Sequence, residues 1–239
     1  MQKLSKILSF CLLIIFAVGS FLLIQFYWQQ NQQRLLKIVF LDVGQGDSVF
    51  IETPNGFQAL IDAGPNSTVV RSLSKFLPFY DRQLDLLIAT HSDSDHVAGF
   101  VEIINRYKTN YYSSNSIKDT DALNSEITNL IEEEKINQYF LKSGDKLILD
   151  ENIYLEVLWP PANHQESDNN NNSLVFRLVY KNVEVMLTGD VSKEIEEKVM
   201  ESLIKKGRTE TLQSNILKAG HHGSKTSTDQ KFVEHVNPD

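Results

Sequence analysis

The sequence THSDSDH at residues 90–96 brings two histidines and two aspartates together within seven positions. It follows the apolar run Leu84–Ala89, and apolar residues recur at helical spacing in the run Val97–Tyr107 after it. We therefore predict a loop that joins a buried strand to a helix. A polar helix cap would account for one of the aspartates but for neither histidine. The pattern instead indicates a metal-binding loop.

The spacing within this loop allows two ions to be held. His91 and Asp93 are two residues apart on an extended segment, so both side chains can turn toward one ion. Asp95 and His96 are adjacent at the predicted helix start and can hold a second ion. The chain has a single cysteine, Cys11, which excludes both an intrachain disulfide and a cysteine-based zinc cluster.

Composition describes an acidic globular chain. The 239 residues are 41% apolar and carry a net charge of −8, which is enough apolar content for a packed core. An acidic domain does not attract polyanions through its overall field. If the substrate is a nucleic acid, a local basic patch or the metal ions must hold it.

The N-terminal segment Ile7–Trp28 is uncharged and rich in Leu, Ile and Phe. It is long enough to cross a hydrocarbon core of about 30 Å and predicts one transmembrane helix. Because Lys3 and Lys6 precede it, we expect a single-pass protein of the cell membrane whose larger part is extracytoplasmic. A cleaved signal peptide is the alternative, but the apolar run continues well past the small residues 17–19, which favours an uncleaved anchor.

The division predicted from these features is an anchor and short linker at residues 1–34 and a globular domain at residues 35–239. Alternating or continuous apolar runs predict most of the secondary structure of that domain. Strands are predicted at Leu36–Leu41, Ser48–Glu52, Phe57–Ile61, Lys146–Leu149, Ile153–Trp159, Ser173–Tyr180, Val183–Leu187 and Ile216–Ala219, and helices at Ser67–Leu77, Asp121–Lys135 and Val191–Lys206.

Two later loops carry residues of the metal-binding type, each after a predicted strand. Asp190 ends one strand, a position where α/β proteins gather active-site side chains. His221 and His222 follow another, before a helix predicted to begin near Ser227 with a capping box. Earlier in the chain, the sequence GQGD at 44–47 indicates a tight turn. Asp62 stands at a strand end, where a turn role and an active-site role are both open.

Six motifs in order resemble those of one protein family. They are DVGQGD at 42–47, LIDAG at 60–64, THSDSDH at 90–96, NSLVF at 172–176, LTGD at 187–190 and GHHGSKTS at 220–227. Together they resemble the hydrolase domain of ComEC-type DNA-internalisation competence proteins, in the metallo-β-lactamase superfamily. The resemblance implies an α/β fold, the αββα sandwich. Family members continue into a further strand and loop, so we also predict that the chain is truncated at its C-terminus.

The resemblance implies two divalent metal ions, Zn²⁺ or Mn²⁺. The ligands it implies are His91 and Asp93 for the first ion, Asp95 and His96 for the second, Asp190 as the bridge, and either His221 or His222 to complete the second site. Asp95 and Asp190 are also the candidate catalytic residues. Because Asp93 stands where the superfamily commonly has histidine, the first site is rich in oxygen donors and Mn²⁺ competes with Zn²⁺. His164 lies in a polar insertion and is interpreted as a solvated loop residue.

Hydrolysis is the expected reaction, through a hydroxide held between the two ions, and a phosphodiester such as DNA is the expected substrate. Ser224, Lys225 and Thr226 offer hydroxyls and a cation to such an ester, and the resemblance adds Asn172. The start of an ordinary helix would also explain the Ser, Lys and Thr residues at 224–226. Two alternatives stay open: a hydrolase of a small or wall-attached ester such as a phosphorylcholine ester, and a non-catalytic membrane-anchored partner that retains the fold.

Overall fold

The computed structural model describes residues 2–31, 35–117 and 120–239. The chain divides into two compact units, Met1–Leu35 and Leu36–Asp239. The first contains helix α1 (Gln2–Asn31), whose side chains are described for residues 11–25. Among the residues that the structure describes, none of the helices combines the length and the apolar character needed to cross a membrane. The predicted transmembrane helix is therefore not supported, and parts of Ile7–Trp28 lie outside the described side chains.

The second unit is built on two β-sheets. In order across it, the first sheet contains β1 (Lys37–Phe40), β2 (Val49–Glu52), β3 (Gln58–Ile61), β4 (Gln83–Ile88), β5 (Lys108–Asn115) and β6 (Asn137–Leu141). The second contains β7 (Lys146–Asp150), β8 (Ile153–Trp159), β9 (Val175–Tyr180), β10 (Val183–Leu187) and β11 (Ile216–Lys218). Strands β3 to β6 are parallel, as are β10 and β11, and the other neighbours are antiparallel.

Helices cover the outer faces of both sheets. They are α2 (Thr68–Leu73), α3 (Ser94–Val97), α4 (Gly99–Arg106), α5 (Ala122–Glu133), α6 (Lys193–Lys205) and α7 (Gln230–Val236). Three apolar clusters separate the layers: one under α2, α4 and α5, one between the sheets, and one under α6 and α7. Along β4, Leu87 belongs to the first cluster and Leu86 to the second, so this strand is covered on both faces as its apolar sequence predicts. The two-sheet α/β fold is confirmed.

Beyond shifts of one or two residues at element ends, two strands and two helices differ from the sequence prediction. Helix α2 ends at Leu73 rather than at Leu77. Strands β5 and β6 were not predicted, because Tyr, Asn, Ser and Lys break the apolar pattern in their sequences. The last helix begins at Gln230 and its cap is Asp229, whose carboxylate accepts a hydrogen bond from the backbone N–H of Lys231. The capping role predicted for Ser227 is wrong. Its hydroxyl donates to the carbonyl of Gly220 instead, over 2.7 Å.

The strand directions bring the motif loops to one edge of the sandwich. Strands β3, β4, β10 and β11 all end at this edge, and β2 begins there because it is antiparallel to β3. A backbone hydrogen bond from Leu174 to the carbonyl of Thr90 joins the two sheets at the same edge. The loops after four strand ends therefore face one another.

Candidate metal centre

Two histidines converge on the carboxylate of Asp190. Nε2 of His96 lies 3.2 Å and Nε2 of His222 lies 3.1 Å from Oδ2 of Asp190. The same nitrogen of His222 lies 3.3 Å from Oδ2 of Asp95. These four side chains come from α3 and from the loops after β10 and β11, and they are the group predicted for the second ion, with His222 as the histidine of the pair that reaches it.

His91 and Asp93, the pair predicted for the first ion, lie beside His96. Nε2 of His91 is 3.8 Å from Oδ2 of Asp93, and the ring of His91 stands 4.2 Å from that of His96 between centroids. Asp190 itself is buried, and its Oδ1 makes no hydrogen bond to any described residue. Asp190 therefore places Oδ2 beside the residues predicted for the second ion and keeps Oδ1 available for the first.

The unsatisfied atoms test whether metal ions fit these residues. Four buried atoms make no hydrogen bond of acceptable geometry with the described residues. They are Nε2 of His91, Nε2 of His96, Nε2 of His222 and Oδ1 of Asp190. Leaving one buried polar atom unpaired costs about 1–3 kcal/mol, so four such atoms facing one space require an explanation. Divalent ions fit, because imidazole nitrogens and carboxylate oxygens are ligands of both zinc and manganese.

Asp62 fixes the orientation of two of these histidines. Its Oδ2 lies 2.8 Å from Nδ1 of His96 and accepts a hydrogen bond of 2.8 Å from the hydroxyl of Thr90. Because that hydroxyl proton is used on Asp62, the Thr90 oxygen accepts the Nδ1 proton of His91, 3.0 Å away. Both imidazoles thus use Nδ1 in these hydrogen bonds, which leaves Nε2 to face the centre. The active-site role considered for Asp62 is the one its contacts support.

The charges of the centre shift its pKa values in opposite directions. Burial and the neighbouring His96 lower the pKa of His91 to about 4. Burial also lowers the pKa of His96, but Asp62 and Asp190 outweigh it and raise that pKa to about 11. Burial raises the pKa of Asp190, but His96 holds it below its ordinary value. His91 is therefore neutral, whereas His96 carries a proton that a metal must displace.

Asp47, in the first motif, is a member of the centre that the sequence did not identify. It belongs with His96, Asp190 and His222 to a group whose ligand atoms lie within 4.8 Å of one another. Lys218 forms an ion pair with its Oδ2, and Nδ1 of His222 lies 3.4 Å from its Oδ1, but Oδ2 makes no hydrogen bond of acceptable geometry with the described residues. Asp47 is therefore placed both to orient His222 and to reach a metal ion beside Asp190.

A glycine explains how the first motif reaches the metal loop. Gly46 has a φ of +120°, and a Cβ placed on it would lie 2.0 Å from the carbonyl oxygen of Asp95. Only glycine allows this approach, because any side chain would force the two loops apart. The signal was present in the sequence as Gly-x-Gly-Asp, but a tight turn requires the same residues.

The remaining candidate residues surround the centre without entering the two groups. His221 points to Thr226, with Nδ1 3.4 Å from Oγ1, and its ring lies 5.9 Å from that of His222. The hydroxyls of Ser224 and Thr226 are 2.9 Å apart, and Lys225 is exposed. The structure therefore places the three predicted substrate contacts at the rim, on the loop that carries His222.

The polar insertion, residues 160–173, packs against the metal loop. Its Asn169 donates a hydrogen bond of 3.1 Å to Oδ1 of Asp93, and burial raises the pKa of that carboxyl. The side chain of Asn172 bonds within the insertion, accepting from the backbone N–H of Glu166, so its amide is turned away from a substrate role. His164 packs edge to face against the Trp159 ring, with centroids 4.5 Å apart, and lies outside both groups. Its Nε2 is buried, so the interpretation as a solvated loop residue is wrong.

A cleft of about 480 Å³ opens beside His91. It lies between α5 and strands β4, β5 and β6. Its described lining is mixed and includes Tyr112, Asn115, Asn124, Gln138 and Phe140. A cleft of this volume is large enough for a small molecule or for one unit of a polymer.

Comparison with known proteins identifies the class. The family model of the metallo-beta-lactamase superfamily matches residues 41–239, and the chain belongs to that superfamily. ComE operon protein 3 of Bacillus subtilis is 30% identical over 219 residues, 84% of this chain and 27% of that protein. Competence protein ComA of Neisseria gonorrhoeae is 28% identical over 202 residues, 83% of this chain and 25% of that protein.

These relatives confirm the resemblance to competence proteins, although the chain spans only about a quarter of their length. Among solved structures, the metallo-beta-lactamase fold protein YhfI from Bacillus subtilis superposes with a TM-score of 0.56 at 11% identity, covering 86% of this chain and 84% of that chain. CmlA, a diiron beta-hydroxylase from Streptomyces venezuelae, gives a TM-score of 0.54 at 13% identity, covering 86% of this chain and 44% of that chain. At such identities the two structures speak for the fold alone.

Proposed function

We propose that this domain is a two-metal phosphodiester hydrolase that acts on DNA. The observation that carries the proposal is the convergence of His96 and His222 on Asp190, with Asp95 beside His222 and with His91 and Asp93 beside His96. Two adjacent divalent sites that share a carboxylate suit the hydrolysis of a phosphate ester. The oxygen-rich first group, with Asp93 in place of a histidine, suits Mn²⁺ as well as Zn²⁺.

Divalent ions bound there would supply an activated water and stabilise the negative charge that develops on the ester. The protein's part is to hold the ligands rigidly and to accept a proton. Asp62 fixes the two imidazoles, and Asp47 with Lys218 fixes His222. Asp95 is the carboxylate of the second group with the greater access to solvent, so it is the group that we assign to proton transfer.

The substrate would lie across the rim of the centre. Lys225 supplies the positive charge there, and the hydroxyls of Ser224 and Thr226 supply hydrogen bonds to phosphate oxygens. The cleft beside His91 would take the adjoining nucleoside, with Phe140 available for stacking on a base. The acidic charge of the whole chain favours local and weak holding, and the metal ions would provide most of the attraction.

The names of the relatives support a role in DNA handling. Two of them are described as competence protein ComA and, in Haemophilus influenzae, recombination protein 2, which is 28% identical over 217 residues. We extend this role to the chain as a proposal, together with attachment to the cell membrane through residues 7–28 and an extracytoplasmic domain. Fractionation of cells and protease protection of the intact chain test that attachment.

The activity is tested with purified full chain, Mn²⁺ or Zn²⁺, a single-stranded oligonucleotide and the small diester bis-p-nitrophenyl phosphate. We expect cleavage of both, and we expect loss of cleavage and of metal in His222→Asn but not in His221→Asn. These variants are matched, because they remove neighbouring imidazoles of which only one reaches the centre.

Other results would point elsewhere. Cleavage of the small diester alone would favour the small-ester alternative over DNA. Metal binding without cleavage of either substrate would favour the non-catalytic alternative.

A further inference from the structure

The loop between α2 and β4 exposes three aromatic side chains. Phe76, Phe79 and Tyr80 are 42%, 85% and 75% exposed. Phe79 and Tyr80 follow Pro78 and pack edge to face, with ring centroids 5.3 Å apart. We call residues 76–80 the aromatic loop. A contiguous group of large exposed apolar side chains marks a contact surface more often than chance exposure.

Cations surround the aromatic loop in a chain that is otherwise acidic. Residues 67–82 contain Arg71, Lys75 and Arg82 against the single acid Asp81, whereas the whole chain has a net charge of −8. Arg71 and Lys75 are exposed. The carboxylate of Asp81 turns toward the domain, where it accepts a hydrogen bond of 2.8 Å from the amide of Gln58. The outward charge beside the aromatic loop is therefore positive.

The aromatic loop lies at the end of the sandwich opposite the metal centre. It leads into the start of β4, and β4 ends at the metal loop. Strand β1 runs in the same direction as β4, so the chain enters the domain at the end where the aromatic loop lies. A surface that contacts this end would leave the metal centre open to solvent.

We propose that the aromatic loop binds an anionic lipid surface. Aromatic side chains prefer the boundary between headgroups and acyl chains, and exposed cations beside them attract anionic headgroups. A protein partner would explain the apolar side chains equally well, but the exposed cations Arg71 and Lys75 next to the loop in an acidic chain favour a surface of negative charge. The proposal concerns a surface remote from the metal centre and stands independently of the proposed hydrolase activity.

The test uses the full chain with Phe79→Trp and vesicles of phosphatidylcholine and phosphatidylglycerol that carry brominated acyl chains. We expect bromine to quench the added tryptophan by about half or more, beyond the quenching measured for the unsubstituted chain with its own two tryptophans. Phe40→Trp is the matched control, since Phe40 is 49% exposed and ends β1 at the opposite edge, and it should remain unquenched. Equal quenching of both variants, or of neither, would overturn the proposal.

The charge requirement is tested with the same tryptophan reporter. In Arg71→Glu and Lys75→Glu the lipid concentration for half-maximal quenching should rise about fivefold or more for each cation, and vesicles of phosphatidylcholine alone should quench less. Quenching that is the same on neutral and anionic vesicles would contradict the assignment to anionic lipid. Absence of quenching, with Phe79 crosslinked to a protein in intact cells, would assign the loop to a protein partner instead.

Discussion

Asp62 orients two histidines of the candidate metal centre although it is not itself one of the predicted ligands. Its carboxylate accepts hydrogen bonds from the backbone and hydroxyl of Thr90 and contacts Nδ1 of His96. Through Thr90 it also sets the tautomer of His91. One carboxylate therefore orients an imidazole on each side of Asp190, and neither histidine could turn without breaking a buried hydrogen bond.

We expect Asp62→Asn to weaken metal binding by about 10–100-fold, the usual effect of losing a group that orients metal ligands. The amide keeps the shape, and asparagine tolerates the positive φ of 58° at this position. The NH₂ group of asparagine, however, would meet another donor in either orientation of the amide. It would face the backbone N–H of Thr90 in one orientation, and the Thr90 hydroxyl and Nδ1 of His96 in the other. Metal titration against a competing chelator measures the change.

Asp85→Asn is the matched control for this substitution, because Asp85 also accepts hydrogen bonds within the first sheet but lies away from the centre. An affinity in Asp62→Asn equal to that of Asp85→Asn would contradict the orienting role.

The pKa of His96 predicts proton release on metal binding. Because Asp62 and Asp190 raise this pKa to about 11, the imidazole is protonated at pH 8 without metal and must lose a proton to become a ligand. Metal affinity should therefore increase with pH through the neutral range, by up to about tenfold per pH unit. Calorimetry in two buffers of different ionisation enthalpy should show about one proton released at this site. The same binding enthalpy in both buffers would refute the prediction.

Some residues of the centre could be predicted from the sequence and others could not, for a physical reason. His91, Asp93, Asp95 and His96 share one short loop, so their spacing alone indicates ligands. The choice between His221 and His222 depends on backbone conformation, because both residues have positive φ and only the second turns inward. The position of Asp47 beside the centre depends on the pairing of β2 with β3, and no pattern of neighbouring residues in the sequence indicates that pairing.

At the scale of elements, helix α6 holds the loop that carries His222. Glu196 in this helix is 1% exposed, and its two carboxylate oxygens accept hydrogen bonds of 2.8 and 2.7 Å from the backbone N–H groups of Thr228 and Asp229. Burial raises the pKa of this carboxyl above its ordinary value of 4.5, and the hydrogen bonds oppose only part of that effect. Charging it thus carries a free-energy cost in the folded protein.

The sign of this cost gives a pH prediction for Glu196→Gln. The pKa of Glu196 is higher in the folded protein than in the unfolded chain, where it is about 4.5. The carboxyl therefore contributes stability below pH 4.5, and this contribution is lost as the pH rises through the pKa of the folded state. The unfolding free energy of the unsubstituted protein, relative to the variant, should therefore fall as the pH increases from 4.5. Denaturant unfolding across this range measures the trend.

Glu197→Gln removes a charge from the exposed face of the same helix and controls for general charge effects. A difference between the unsubstituted protein and Glu196→Gln that stays constant with pH would argue against the prediction.

The elements that the sequence missed share one property. In β6 four of the five residues are exposed, and β5 carries polar residues at several positions, so neither strand shows the alternation that one buried face imposes. They are strands because β4 offers β5 a parallel partner, β5 in turn offers one to β6, and α5 packs against this part of the sheet. Strand β4 could be predicted from the sequence because both of its faces are buried, which requires a nearly continuous run of apolar residues.

At the scale of the whole molecule, metal binding should stabilise the folded domain. The ligands meet only in the folded chain, so an ion present at about 100 times its dissociation constant adds about 2.7 kcal/mol. For a domain of this size that corresponds to a rise in Tm of about 5–10 °C. EDTA should lower Tm by this amount, and Mn²⁺ or Zn²⁺ should restore it, as measured by scanning calorimetry. Asp190→Asn should show no response to EDTA, and an identical response in both proteins would contradict the site.

The parallel pairing of β10 with β11 has a consequence for the order in which the centre is completed. When synthesis of the chain has reached the end of α6, His96 and Asp190 are already present. His222, which also contacts the carboxylate of Asp190, has not yet been synthesised. Until β11 takes its place beside β10, a captured ion would lack one of its ligands and would dissociate readily. Full metal binding therefore requires that His222 has been synthesised and that β11 has completed the second sheet.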